Sequence, residues 1–590
     1  MKIISVIGRL SALIFLLTAA ATHANTYTAT NNAGWNTANT WDPNGIPGAA
    51  DTAIIPTGKT VTYGGTPATL GTILISGTFS PSASGTLGDV WVDTTGNFNV
   101  TSSGATITFS GSVTNLGAMP ITSLGSASVY NYSGTGKFLA GNISNVVANI
   151  TGSYQNVGTF VMGLKGTQNA FKGAGTFSNL GVLVLGNGQN VPPTVGTLDC
   201  STAGNLFIWT NFNGTATLET ATYYDLIVGQ TGSSAWTLGG TITHNLTLIG
   251  SAPISSWPAG NSIGGKLTYS SGSGTASTLP SAFSVGAFAQ TSGKITIPAS
   301  GVLTVTGTGA GVWSQTGGAL TAGSGGTVKF TGAAPDIGGA AVNNLLLDTT
   351  ATSATASTAF SVTNTLTVAA GALLDVTPLA ASTYTMSGAE SLFNSGTVKG
   401  TLTTVSGSKV YAGTDGGYAT CTVNGNLTLA LGSTVNLDVN STAAGSNDKL
   451  VVSGAVNLNN TTFNLKAPSA GAAIDTSDYT LVTAGSLSGT PVLHWVTAPA
   501  STTNYSLVTD STTVKLHYYT PPVIVSAPIL TNSASGGTMT ISWDSASFPG
   551  YTLQQSTSFP VGWTPVTNVS PVMIQIDPTV SSVIFRLSNP

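Results

Sequence analysis

The groups that could carry acid–base chemistry in this chain are few: 19 acidic residues and 4 histidines among 590. Glu219 and Glu390 are the only glutamates, so 17 of the acids are aspartates, and these are scattered. Glycoside hydrolysis needs two carboxyl groups about 5 to 9.5 Å apart. Only Asp89/Asp93 and Asp475/Asp478 lie within a few residues of one another. Asp89 and Asp93 flank Trp91 on an expected strand, where a spacing of four puts them on one face but about 13 Å apart. Asp475 and Asp478 fall in an expected turn. His244, His494 and His517 show no metal-ligand spacing to another His, Cys or acid. His244 precedes a strand and reads as a corner residue rather than a base. Asp42, Asn44 and Asp51 touch on a calcium-loop pattern, but Pro43 interrupts it and Ala53 stands where the closing acid belongs, so a turn is expected. No catalytic residue, metal or cofactor is assigned. An active site assembled from distant coils, as in polysaccharide lyases and hydrolases built on β-helices, is the alternative.

The elements that would position any such group announce themselves as a repeat. NNLLLD (Asn343 to Asp348) is followed by NTLTV (Asn364 to Val368), and DLIV (Asp225 to Val228) by NLTL (Asn245 to Leu248). The leading Asn or Asp returns one repeat later, from 225 to 245 and from 344 to 364. A short apolar strand between Gly/Thr/Ser turns, recurring about every 20 residues, predicts a β-solenoid. Further strands, TILISG, ATITFSG, GVLVLG, KITI and VLTVTG, alternate apolar with Thr or Ser, the half-buried pattern. With 6% charged residues, 41% hydrophobic and 74 glycines, the chain favours strands and turns nearly everywhere. At about 20 residues per coil, 70–439 would hold some 18 coils and extend on the order of 85 Å. Asn residues before strands are expected to stack as an internal ladder, and Tyr223 and Tyr224 as stacked aromatics.

Lys2 and Arg9, the apolar run Leu10 to Leu17 and Thr22-His23-Ala24 read as a secretory signal over 1–24, cleaved before Asn25. No later segment approaches membrane-spanning length. Without Lys2 and Arg9, 13 basic residues face 19 acidic ones, and no Lys/Arg cluster exists, which argues against nucleic acid. Cys200 and Cys421 are separated by about 50 Å of solenoid, too far to bridge, so two free buried thiols are expected.

The ends differ from the middle. In 25–69, Trp35, Trp41, a Pro-Asn-Gly turn, Pro47 and Asp51 lead into TAII and KTVTY. This resembles the N-terminal segment of bacterial secreted β-helix proteins, and implies a cap that buries both indoles over the first coil. Trp35 and Trp41 are also the candidates for glycan contact, by stacking on sugar rings. In 440–520, Asp448, Leu450, Val452, Gly454, Tyr479, Leu481 and Val482 resemble the C-terminal end of autotransporter-type passenger β-solenoids. That resemblance implies a second cap and no catalytic residue. No membrane barrel is expected after it, because the remaining chain lacks a series of amphipathic strands. Pro521 and Pro522 mark a linker to 523–590, where five strands resemble the small, fibronectin-like C-terminal β-sandwich of secreted proteins from Verrucomicrobia-like bacteria. Its expected core is Trp543, Trp563, Phe585 and Leu587.

Together these features predict an all-β protein: a long right-handed β-solenoid (parallel β-helix) with N- and C-terminal caps, followed by a small β-sandwich. The expected role is a secreted or cell-surface structural and adhesive protein contacting extracellular polysaccharide or cell-surface components. Thr106/Thr108, Thr304/Thr306 and Thr365/Thr367 add a third reading, ice binding by a Thr ladder.

Overall fold

The computed structural model describes residues 24–589 except 103–104, 118–128, 133–134, 145–146, 164–170, 187–193, 213–216, 219–220, 231, 233–235, 252, 273, 324 and 521–526. Period-two alternation does become strand: in Thr327–Phe330, Val328 and Phe330 are buried while Thr327 and Lys329 are not. Of the described residues, 53% are strand and 2% are helical, wound into a parallel β-solenoid of about 16 turns. Among the described residues, no helix is long and apolar enough to cross a membrane.

Each coil sets its apolar side chain directly on that of the coil before. Leu345, Leu366, Leu392, Val410, Val435 and Phe463 are register partners in sequence, and none exceeds 1% exposure. Burying each such side chain is worth about 1.5–3 kcal/mol, so stability accumulates coil by coil. The coils vary in length. Val328 pairs with Leu345, whereas Phe463 pairs with Leu493, a return longer by more than half. Longer coils towards the C-terminus give fewer turns than a fixed period would.

The expected asparagine ladder is present inside the coil. Asn156 donates to Asn179 Oδ1 (2.7 Å) and to the Val182 carbonyl (2.9 Å), and Asn179 donates to the Leu206 carbonyl (3.1 Å). Buried carbonyls at the corners thereby gain donors they would otherwise lack. Where coils press together backbone to backbone, only glycine fits: a Cβ on Gly332 would lie 1.8 Å from the Gly307 carbonyl oxygen. Cys200 and Cys421 are both buried, and neither is in a disulfide.

The first strand, Thr26–Ala29, pairs parallel with Thr52–Ile55, while Trp41–Asp42 pairs antiparallel with it. At the other end, Tyr479–Ser488, Thr513–Tyr518 and Tyr505–Thr509 form an antiparallel closure. The parallel stack meanwhile runs on through Thr434–Asp438, Thr462–Lys466 and Val492–Thr497.

Residues 519–590 form a separate compact unit of two three-stranded antiparallel sheets. Thr531–Ser535 adds a sixth strand to the five expected. Ile541, Trp543 and Leu553 are its buried core, with Phe585 and Leu587 packed against them. Trp563 is not in that core, contrary to expectation. Its ring lies under the Arg586 guanidinium, 4.2 Å from the centroid, and its Nε1 donates to the Pro560 carbonyl. A cation–π contact suits a ring that keeps one face towards water.

Candidate functional site

Strand alternation gives the solenoid an outward face as regular as its core. One outward row runs through ten consecutive strands: Ser284, Thr304, Lys329, Leu346, Thr367, Phe393, Tyr411, Asn436, Asn464 and His494. None of the ten is buried. The row changes character along its length. Hydroxyl and aliphatic groups give way to the Phe393 and Tyr411 rings, stacked at 4.4 Å and 13°. Amides follow: Asn464 Nδ2 donates to Asn436 Oδ1 (2.9 Å), and His494 Nδ1 meets Asn464 Oδ1 (2.9 Å). An amide oxygen can only accept, so His494 Nδ1 carries the proton in that bond.

Beside this end of the row lies a half-open hollow of about 120 Å³, lined by Tyr411, Thr414, Asp415, Asn436, Asp438, Asp448, Asn464, Lys466 and Val496, among others. Asp438 and Lys466 are register partners on adjacent coils. The loop after Lys409–Ala412 brings Asp415, whose Oδ1 is 3.0 Å from Lys466 Nζ. That hydrogen bond, reinforced by the Asp415 charge, holds the Lys466 ammonium above its ordinary range. Asp448, 2% exposed, spends both oxygens on backbone, accepting from Ala419 N (2.7 Å) and Asp438 N (2.8 Å). Burial, with the Asp438 and Asp415 charges adding to it, pushes Asp448 up to about 7. Asp438, 8% exposed, accepts from Gly416 N at Oδ2 (2.7 Å), and burial raises it too. Its Oδ1 accepts no hydrogen bond among the described residues.

Among the described residues, two carboxylate oxygens of the hollow, Asp438 Oδ1 and Asp415 Oδ2, accept no hydrogen bond, and Lys466 supplies an ammonium. Glycoside hydrolysis uses two carboxyl groups, one as acid and one as base or nucleophile. Asp448 gives both oxygens to backbone N–H groups, and Asp415 gives Oδ1 to Lys466. Among the described residues, no group of three or more His, Cys, Asp or Glu is placed to hold a metal ion. Neither a protein-family model nor a curated protein matches this chain.

The groups picked out from the sequence are placed elsewhere. Trp35 and Trp41 are 1% and 2% exposed, edge to face at 4.9 Å, with their Nε1 atoms donating to the Pro47 and Trp35 carbonyls. Both indoles are buried, and neither ring face is open to solvent. Asp89 accepts from Ser112 N (2.7 Å), while Asp93 takes Ser76 Oγ and Thr95 N. Burial would raise Asp93, but hydrogen bonds from Ser76, Thr95 and Gly96 outweigh it and hold the carboxyl low. The two act as separate staples between coils. His244 does have an acidic partner: Nδ1 lies 2.8 Å from Asp225 Oδ1, one coil earlier, and its ring stacks on Tyr224 at 4.4 Å. His517 likewise meets Asp478 at 2.6 Å. Thr304 stacks on Ser284 and Lys329, and Thr367 on Leu346 and Phe393, so these threonines form no continuous ladder.

Asp415, Asp438, Lys466 and Tyr411 do not stand out at short spacings, because Asp438 and its neighbour Lys466 are a whole coil apart in sequence. The coil return was the available signal. Pairing acids and bases about one repeat apart, rather than within a single turn or strand, would have found the His244–Asp225 pair but not Asp438 and Lys466, whose coil is longer.

Proposed function

We propose that the chain is a secreted or cell-surface structural and adhesive β-solenoid that contacts extracellular polysaccharide along the outer face of its long sheet. The observation that carries this reading is the outward row from Ser284 to His494. Ten positions at strand spacing extend roughly 43 Å, a length suited to a polymer rather than to a small molecule. Its C-terminal half mixes half-exposed rings with amides, the groups that meet the C–H faces and hydroxyls of sugars. The hollow beside it, at about 120 Å³, is well below the roughly 300–1,000 Å³ of an enclosed small-molecule pocket. Along this face, many shallow contacts are therefore favoured over one deep site. Export is supported by the leader-like residues 1–24, and the resemblance of 440–520 to autotransporter-type passengers agrees with a surface role.

Cosedimentation of the chain with insoluble polysaccharides tests the contact. Binding that falls at least tenfold in Tyr411→Ala/Asn464→Ala is expected, and binding indifferent to that double substitution overturns the assignment of the face. Fractionation of producing cells, with N-terminal sequencing of the product, tests export. An extracytoplasmic product beginning at Asn25 is expected, and a cytoplasmic one beginning at Met1 contradicts it.

A further inference from the structure

The hollow beside the outward row contains hydrogen-bonding capacity that the protein leaves unused. Asp438 is nine-tenths buried, lines the hollow, and has an oxygen, Oδ1, with no donor among the described residues. On the adjacent coil, Lys466 gives one of its three N–H bonds to Asp415. That oxygen opens into the hollow rather than being sealed beneath it, so a molecule that brings donors can reach it. At roughly 30 Å³ per water, the volume of about 120 Å³ admits a few waters or the edge of a larger polar molecule, not the whole of one. The Tyr411 ring walls the hollow, with Phe393 stacked on it.

A pair of neighbouring hydroxyls meets these conditions. Each hydroxyl is both donor and acceptor, so one can give its hydrogen to Asp438 Oδ1 while its neighbour accepts from Lys466 Nζ. The sugar's C–H groups then lie towards Tyr411. Charge sets the sign of the ligand: Asp415, Asp438 and Asp448 face a single cation, Lys466, and an anionic sugar would be repelled. Resting on the polysaccharide-contact reading, we infer that the Asp438–Lys466 hollow is a subsite for the vicinal diol of a neutral sugar residue, one that discriminates against uronic-acid polymers.

The test is calorimetric titration of the full chain with soluble neutral polysaccharides (a β-glucan, a galactomannan, an arabinoxylan) and with polygalacturonate. Asp438→Asn keeps an acceptor for Gly416 N–H but removes the free carboxylate oxygen, Lys466→Met removes the ammonium, and the exposed Lys294→Met, in a different sheet, is the control. Expected is binding of at least one neutral polymer over polygalacturonate, weakened at least tenfold in both hollow variants and unchanged in the control. Neutral binding within twofold of the parent in either hollow variant overturns the subsite while leaving the outer face as a contact surface. Tighter binding of polygalacturonate also overturns it. No binding of any polymer overturns both the subsite and the reading it rests on. If a variant fails to fold, carbodiimide labelling of the unaltered chain decides: Asp438 is expected to be protected by the bound neutral polymer, and unchanged labelling in the bound state contradicts the inference.

Discussion

Asn364 hands its side-chain N–H to Asn344 Oδ1 at 2.8 Å, one coil away, and Asn344 passes its own to the Gly326 carbonyl at 2.9 Å. Asn344 is 7% exposed, so its own amide depends on the neighbouring coils, whereas Asn364 is exposed. Asn344→Ala strands the buried Gly326 carbonyl, at an expected cost of about 1–3 kcal/mol. Amide exchange should accelerate locally around 326 and 364. Unchanged exchange there would mean that the ladder carries no stability.

Trp35 holds the first coils together, meeting Trp41 at 4.9 Å, Phe79 at 5.6 Å and Tyr63 at 6.3 Å. Trp35→Ala is expected to destabilise the N-terminal coils by about 3–5 kcal/mol and to leave polysaccharide binding intact. Loss of binding by a variant that remains folded would return this ring to the contact surface.

Glu390 is fully buried, accepting from Tyr384 Oη (2.7 Å) and Ser387 N (2.9 Å). Burial pushes it up from 4.5 to about 7. With the folded pKa above the unfolded one, its contribution is fully present below pH 4.5 and is lost as pH rises through 7. The loss is about 3 kcal/mol. Asp448, raised to about 7, acts in the same direction. Carboxylates held low, such as Asp348 beside Lys329, act only at more acid pH. Thermal melting should therefore show stability falling between pH 4.5 and 7, and Glu390→Gln, which mimics the protonated side chain, should shrink that fall. An unaltered pH profile in the variant would contradict the assignment.

Cys421 is fully buried and receives Asn394 Nδ2 at 3.3 Å. Burial pushes its thiol up to about 12, which leaves almost no thiolate at neutral pH. Neither cysteine should react with a thiol reagent in the folded chain, and both should react after denaturation. Prompt reaction of either in the native state would show that its coil opens readily.

The fold was readable because its determinants are local and repeated. NNLLLD carries a corner asparagine, inward Leu345 and Leu347, and a return that lands on Leu366 and Val368. The site was not readable in the same way, because its members meet only through coil stacking, and coil length is uneven. The return from Val328 to Leu345 is short and that from Phe463 to Leu493 is long. Asp438 and Lys466 are neighbours in space across one such uneven coil, whose length no fixed period predicts. Trp563 was misplaced for a related reason. In so small a sandwich an indole can be spared from the core and held by Arg586 instead.

The most direct measurement is carbene footprinting of the full chain with and without a bound neutral polysaccharide, read residue by residue by mass spectrometry. Labelling is expected to fall at Phe393, Tyr411 and His494 on the outward row and to stay constant on the Lys294–Ile297 strand of the neighbouring sheet. Unchanged labelling at those three side chains in a chain shown to be bound would contradict the assignment of this face as the contact surface.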